Sequence, residues 1–191
     1  RRQRQMCIRD SPSRVCQPCG APPAPGGRWP FLAAIRSRLA FILRAGTDQR
    51  TTYWFPVPQM PQVSFDRLSA ALELTLHPDI CDYYQTYWSG TIGARAPHGD
   101  ISLLQLWNPD DHERLMTNLI GHALEKRRHK HDFTVFFGTA EPDGERFLSI
   151  HNQTGEILLE EPGMKPQDVL ASGIAEYLDT LTPVNVSPGI Y

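Results

Sequence analysis

Ile101-Ser102-Leu103-Leu104-Gln105-Leu106-Trp107 runs directly into Asn108-Pro109-Asp110-Asp111. The first seven residues are a nearly unbroken apolar run, the pattern of a central strand. The next four are a strong helix start. Asn108 can cap the first turn, Pro109 fits the first helical position, and Asp110 and Asp111 face the positive end of the helix dipole. The spacing predicts a helix with Leu115, Leu119, Ile120, Ala123 and Leu124 on one side, closed by Lys126-Arg127-Arg128-His129-Lys130, whose charge suits its C-terminal end.

Upstream, Thr52–Val57 alternates as a short strand closed by Pro56 and Pro58. Ser64 is positioned to cap a helix burying Leu68, Ala71, Leu72 and Leu76. Pro78 ends that pattern and opens a second helix over Asp79–Trp88, carrying Ile80, Tyr83, Tyr84, Tyr87 and Trp88. Gly90, Gly93, Pro97 and Gly99 make the link to the central strand a loop or hairpin. Downstream come strands Phe133–Thr139, Phe147–Asn152 and Glu156–Leu159, joined by turn-forming Pro142-Asp143-Gly144 and Asn152–Gly155. A last amphipathic helix is expected from Gln167 to Leu181, with Val169, Leu170, Ile174, Tyr177, Leu178 and Leu181 inward. Hairpins this closely spaced predict an α+β fold, a mainly antiparallel sheet with helices packed against it in one domain over residues 51–183. Residues 184–191 are expected to form an irregular tail.

Net charge is -2 at pH 7, but it divides unevenly. Residues 1–50 hold ten arginines, no lysine and only Asp10 and Asp48, whereas residues 51–191 hold nine basic and nineteen acidic side chains. The acidic portion repels nucleic acid and attracts basic partners. Residues 1–50, rich in Arg, Pro, Gly and Cys, are expected to be a disordered arm. A sharper reading takes Met6-Cys7-Ile8-Arg9-Asp10-Ser11 as a translated transposon-end sequencing adaptor. Out-of-frame translation would follow it, with the true frame resuming near Arg38–Thr51. The longest apolar stretch, Phe31–Leu43, is broken by Arg36 and Arg38 and falls short of the roughly 20 residues a membrane-spanning helix needs. With no clear secretion signal, a soluble cytoplasmic protein is expected.

Catalytic and metal motifs are missing. Cys16 and Cys19 form a lone C-x-x-C without the second pair or the strand-helix context that zinc or redox chemistry needs. Cys81 reads as a small buried hydrophobe. No H-E-x-x-H, G-x-S-x-G, P-loop or G-x-G-x-x-G occurs. His129 and His131 sit in a basic helix end, and His122 is placed to pack at a helix edge with one nitrogen satisfied. No catalysis, cofactor or metal is expected.

The acids stand out. Asp79, Asp82, Asp100, Asp110, Asp111 and Glu113 flank the central strand, and Tyr83, Tyr84, Tyr87, Trp88 and Trp107 lie near them in sequence. Helix capping and dipole compensation account for several of these carboxylates, and core packing for Trp107. As one surface, the set suits a basic polypeptide, because carboxylates accept charge-assisted hydrogen bonds and aromatic rings receive arginine planes and lysine stems.

Residues from about Tyr53 to Pro183 resemble the Syd family in the order and spacing of elements. The match rests on Tyr53-Trp54 before a proline, the Phe65–Leu76 segment, Gly99-Asp100-Ile101, Leu103-Leu104-Gln105 with Trp107, Asp110-Asp111, and Asn118-Leu119-Ile120-Gly121-His122. Asn152 with Gly155-Glu156, and Leu170-Ala171-Ser172 through Ile174-Ala175-Glu176-Tyr177-Leu178, complete it. The resemblance implies a SUKH-type fold and loose attachment at the inner face of the bacterial cytoplasmic membrane. It further implies binding of SecY through an acidic concave face that meets basic cytoplasmic loops, and restraint of the SecYEG translocon. Carried onto this chain, it points to Asp100, Asp110 and Asp111 first, then Asp79, Asp82 and the neighbouring aromatics. The rival readings are a SUKH-type immunity protein covering a basic toxin domain, and an enzyme acting on a small cationic substrate. The family's opening helix has no clear counterpart in residues 1–50.

Overall fold

The computed structural model describes residues 41–45, 50–54, 56–140, 145–166 and 168–184, the first two segments by backbone alone. Met6–Ser11, the Cys16 and Cys19 pair, the Pro142-Asp143-Gly144 turn and the tail from residue 185 lie outside the described residues. The first elements are β1 (Phe41–Ala45), β2 (Arg50–Trp54), β3 (Val57–Pro58), α1 (Asp66–Leu72), α2 (Pro78–Gln85), β4 (Tyr87–Trp88) and β5 (Ile92–Ala96). After them come β6 (Gly99–Leu103), α3 (Pro109–Arg128), β7 (Thr134–Ala140), β8 (Phe147–His151), β9 (Ile157–Glu160), β10 (Asp168–Ala171), α4 (Ile174–Asp179) and β11 (Thr182–Pro183).

Seven strands form one sheet in the order β10-β9-β8-β7-β6-β5-β11, every neighbour antiparallel. The fold is α+β with an antiparallel sheet, as the sequence predicts. Period-two alternation sets the register of the β5–β6 hairpin: Ala94 pairs with Ile101 and Ile92 with Leu103 on the buried face, while Arg95 meets Asp100 on the other. β7 carries an irregularity between Phe136 and Gly138, opposite Ser149 and Leu148. Such a bulge bends the strand. It sends fully buried Phe137 toward Tyr83, 5.4 Å between rings, and Tyr177, 6.0 Å. Burial of a ring this completely is worth about 1.5–3 kcal/mol. The next residue has no room for a side chain, because a Cβ on Gly138 would lie 3.0 Å from the Ser102 carbonyl oxygen and 3.1 Å from Leu148 Cδ1.

Several boundaries differ from the sequence expectation. α1 stops at Leu72 because Glu73 turns left-handed, φ 55°; Leu76 is buried beyond the helix end, and Ala71 is exposed. Tyr87 and Trp88 leave α2 and pair with Pro58 and Val57 as a strand. The helix expected over Gln167–Leu181 is β10 followed by the six-residue α4. Asp168 and Val169 pair with Leu159 and Leu158, and Gly173 supplies the extended N-cap of α4. On α3, Leu115, Met116, Leu119 and Ala123 are buried, but Leu124 points outward. The β1–β2 pair, Phe41 opposite Trp54, begins inside the stretch expected to be a disordered arm.

Candidate functional site

The start of α3 forms as its residues dictate. The Asn108 side-chain oxygen accepts the Asp111 N–H at 2.9 Å, a cap worth about 1 kcal/mol. Asp111 answers by accepting the Trp107 N–H at 3.0 Å and pairs with Arg114 through its other oxygen. Glu113 binds Arg67 bidentately, 2.9 and 3.2 Å, which ties α1 to α3. Asp100 takes the Arg95 guanidinium across the hairpin at 2.7 and 3.1 Å, and those hydrogen bonds hold its carboxyl below the usual range. Asp110 is exposed and forms no ion pair among the described residues.

The acids do not form one tight group. Asp100 lies at the turn end of β6, whereas Asp110, Asp111 and Glu113 follow beyond the opposite end of that strand. Asp79 stands in the first turn of α2, and its carboxylate comes near Gly173 at the start of α4: a Cβ there would be 3.8 Å from Asp79 Oδ2. Asp82 acts on Cys81 together with Asp66, an acid the sequence reading missed. Burial pushes the Cys81 thiol up, and the carboxylates of Asp82 and Asp66 push it further, so α1 and α2 bring both acids to one thiol. A thiol held protonated in this way is a poor nucleophile.

Of the aromatics assigned to a binding face, Tyr83 and Tyr84 belong to the core instead. Both are fully buried, edge to face at 4.9 Å, with hydroxyls donating to the carbonyls of Leu104 at 3.0 Å and Phe136 at 2.7 Å. Their placement follows from the i, i+3, i+4 spacing with Ile80, which turns one side of α2 inward. Tyr87, Trp88 and Trp107 are half-buried against the same core, each with an edge reaching solvent.

A cavity of about 340 Å³ opens between the end of α3 and β8–β9, lined by His122, Lys126, Phe136, Phe147, Glu160 and Met164 among others. At its wall Lys126 and Glu160 form an ion pair that is almost wholly buried, and Ser149 donates its hydroxyl to the other Glu160 oxygen. His122 Nε2 lies 3.1 Å from Thr134 Oγ1, and burial lowers its pKa, which favours the neutral ring. The carboxylate that Ser149 hydrogen-bonds is itself paired with Lys126. Among the described residues no group of three or more His, Cys, Asp or Glu is arranged to hold a metal ion. The sequence reading gave Lys126 only the part of complementing the C-terminal end of α3. Nothing local marks its burial, because the partner is 34 positions away.

Comparison with known proteins places this geometry. The family model described as Syd protein (SUKH-2) matches residues 28–183. The chain belongs to the Syd family. It is 43% identical over 138 residues to Protein Syd of Alteromonas mediterranea, covering 72% of this chain and 76% of that one. Protein Syd of Hahella chejuensis is 43% identical over 131 residues, 69% and 67% of the two chains. The Pectobacterium carotovorum protein is 38% identical over 136 residues, 71% and 74%. The Syd match starts at residue 28, ahead of the Arg38–Thr51 window where a restored reading frame was expected, so it takes in part of the arginine-rich segment.

The Syd-like motifs occupy structural joints. Gly99-Asp100-Ile101 opens β6, Asn118 through His122 is the middle of α3, and Asn152 with Gly155-Glu156 is the β8–β9 turn. Asn152 donates to the Thr75 carbonyl at 2.9 Å and accepts the His77 N–H at 3.0 Å, linking that turn to the chain between α1 and α2. No helix of the described residues is long and apolar enough to cross a membrane.

Proposed function

We propose that this Syd family member is a non-catalytic binding protein that docks on the basic cytoplasmic loops of SecY and restrains or monitors the SecYEG translocon from the cytoplasmic side of the bacterial inner membrane. Family membership along most of the chain is the observation that carries this reading. Charge supplies the physical means: nineteen acidic against nine basic side chains over residues 51–191 give a surface that draws in lysine- and arginine-rich segments. Within the proposed surface the acids differ in availability. Asp110 is exposed at the N-terminus of a 20-residue helix, while Asp111 is committed to the cap and to Arg114. The pairs Asp100–Arg95 and Glu113–Arg67 are solvent-exposed and screened by water, so a partner's arginine displaces Arg95 or Arg67 at little cost. Tyr87, Trp88 and Trp107 offer the accompanying aromatic edges.

The reading is tested by capture on membrane vesicles bearing SecYEG. Asp110→Lys is expected to lower bound protein several-fold without changing thermal stability beyond the small loss of a favourable dipole contact. Unchanged capture by Asp110→Lys and by Asp100→Lys together would remove this surface from the account.

A further inference from the structure

An exposed seam runs along the outer face of α3. Asp110, Arg114, Thr117, Gly121, Leu124 and Arg128 are all exposed and recur at intervals of four, three, four, three and four, a single seam along the helix. Gly121 stands in the interior of this helix, where glycine costs stability relative to alanine, yet a Cβ there would meet nothing within 4 Å among the described residues. Leu124, one turn on, is 57% exposed.

The seam is complementary to itself in reverse. Laid antiparallel on a second copy about a twofold axis near Leu119, it sets Asp110 opposite Arg128, Thr117 opposite Gly121, and Arg114 opposite Leu124 with Glu125 beside it. Both charged ends then carry opposite signs, and the smallest residues meet at the centre, where backbones approach most closely. A twofold contact requires this kind of self-complementarity. Arg128 can change partners at little cost, because Arg128–Glu125 is an exposed pair on one helix, and the Arg114 side chain is itself exposed although its partner Asp111 is not.

We infer that the outer face of α3 is a homodimerisation surface, occupied by a second copy of this chain in antiparallel orientation. One helix per subunit gives an interface at the small end of the range, below about 1,200 Å², so the association is weak and reversible. It goes beyond SecY binding and shares only Asp110 with the surface proposed for that role.

Sedimentation of the full chain at concentrations on the order of 100 μM, where contacts of this small size are populated, reads the outcome. The wild type is expected to sediment as a reversible dimer. Gly121→Gln adds no charge, enters open space and improves helix propensity, so it is expected to leave the melting temperature no lower than wild type while weakening the dimer tenfold or more. Asp110→Arg and Arg128→Asp should each weaken the dimer, and the two together should restore it. A strictly monomeric wild type, a dimer unaffected by Gly121→Gln, or a double variant no tighter than either single one would overturn the inference.

Discussion

The His77 imidazole lies directly against Gly155: a Cβ at position 155 would stand 2.6 Å from His77 Cε1 and 2.8 Å from Nε2. Gly155 also has φ of +79°, which disfavours any L side chain. His77 in turn caps α2 by accepting the Asp79 N–H at 3.3 Å, so the ring has little freedom to retreat. Gly155→Ala is therefore expected to destabilise the fold by about 2–3 kcal/mol, from the left-handed backbone and the contact combined. Urea denaturation checks this, and adding His77→Ala should recover the contact part but not the backbone part. A Gly155→Ala variant as stable as wild type would contradict the close packing of the β8–β9 turn on the α1–α2 connection.

Lys126 and Glu160 should behave as a unit. Lys126→Met leaves the Glu160 carboxylate buried without its cation, and breaking pairs this deeply buried costs about 3–5 kcal/mol. The double variant Lys126→Met with Glu160→Leu removes both charges and is expected to regain most of that loss. A double-mutant cycle by chemical denaturation tests the coupling; additive losses would show that the two charges act independently.

Mild acid should destabilise the protein through two buried histidines. Burial lowers the pKa of His112 and of His122 from the ordinary 6.5, and His112 Nε2 is buried without a hydrogen-bond partner among the described residues. Below pH 6.5 the unfolded chain binds protons at these rings that the folded chain resists, so the stability they confer is complete above 6.5 and is lost as pH falls toward their lowered values. Asp100 and Glu176, whose carboxyls are held low, act only at still lower pH. Denaturation midpoints should drop from about pH 7.5 to about pH 5.5, and His112→Phe should flatten the profile. A wild-type profile that is level, or rises toward acid, would refute the burial argument.

Gly121→Ala is expected to raise stability by about 0.5–1 kcal/mol, because it improves helix propensity and enters unoccupied space. Thermal melting under dilute conditions, where self-association is negligible, gives the direct reading. A lower melting temperature would show that something fills the space outside α3.

How much of this was legible in the sequence depended on how local each signal is. Asn108-Pro109-Asp110-Asp111 marked the start of α3 correctly, because a cap is decided within four residues. The three strands after α3 were likewise readable from their turn residues, whereas the strand expected over Ile101–Trp107 is β6 over Gly99–Leu103, and its partner β5 falls in the stretch read only as a loop or hairpin. β10 was missed because Val169 and Leu170 continue the helical spacing of Ile174, Tyr177 and Leu178, and only their partners on β9 make them a strand. Tyr87-Trp88 was misassigned for the same reason, since β3 lies about thirty positions earlier in the chain. At the candidate site, sequence proximity grouped Asp100 with Asp110 although a strand separates them. It also could not reveal that Tyr83 and Tyr84 point inward, or that Asp66 joins Asp82 beside Cys81.

Capture of the purified chain by membrane vesicles with and without SecY, across a series of salt concentrations, bears most directly on what this protein does. Retention is expected only where SecY is present, and should fall steadily as salt shortens the screening length from about 10 Å at 0.1 M toward about 3 Å at 1 M. Equal retention on vesicles lacking SecY, or retention indifferent to salt, would contradict an acidic surface recognising basic SecY loops.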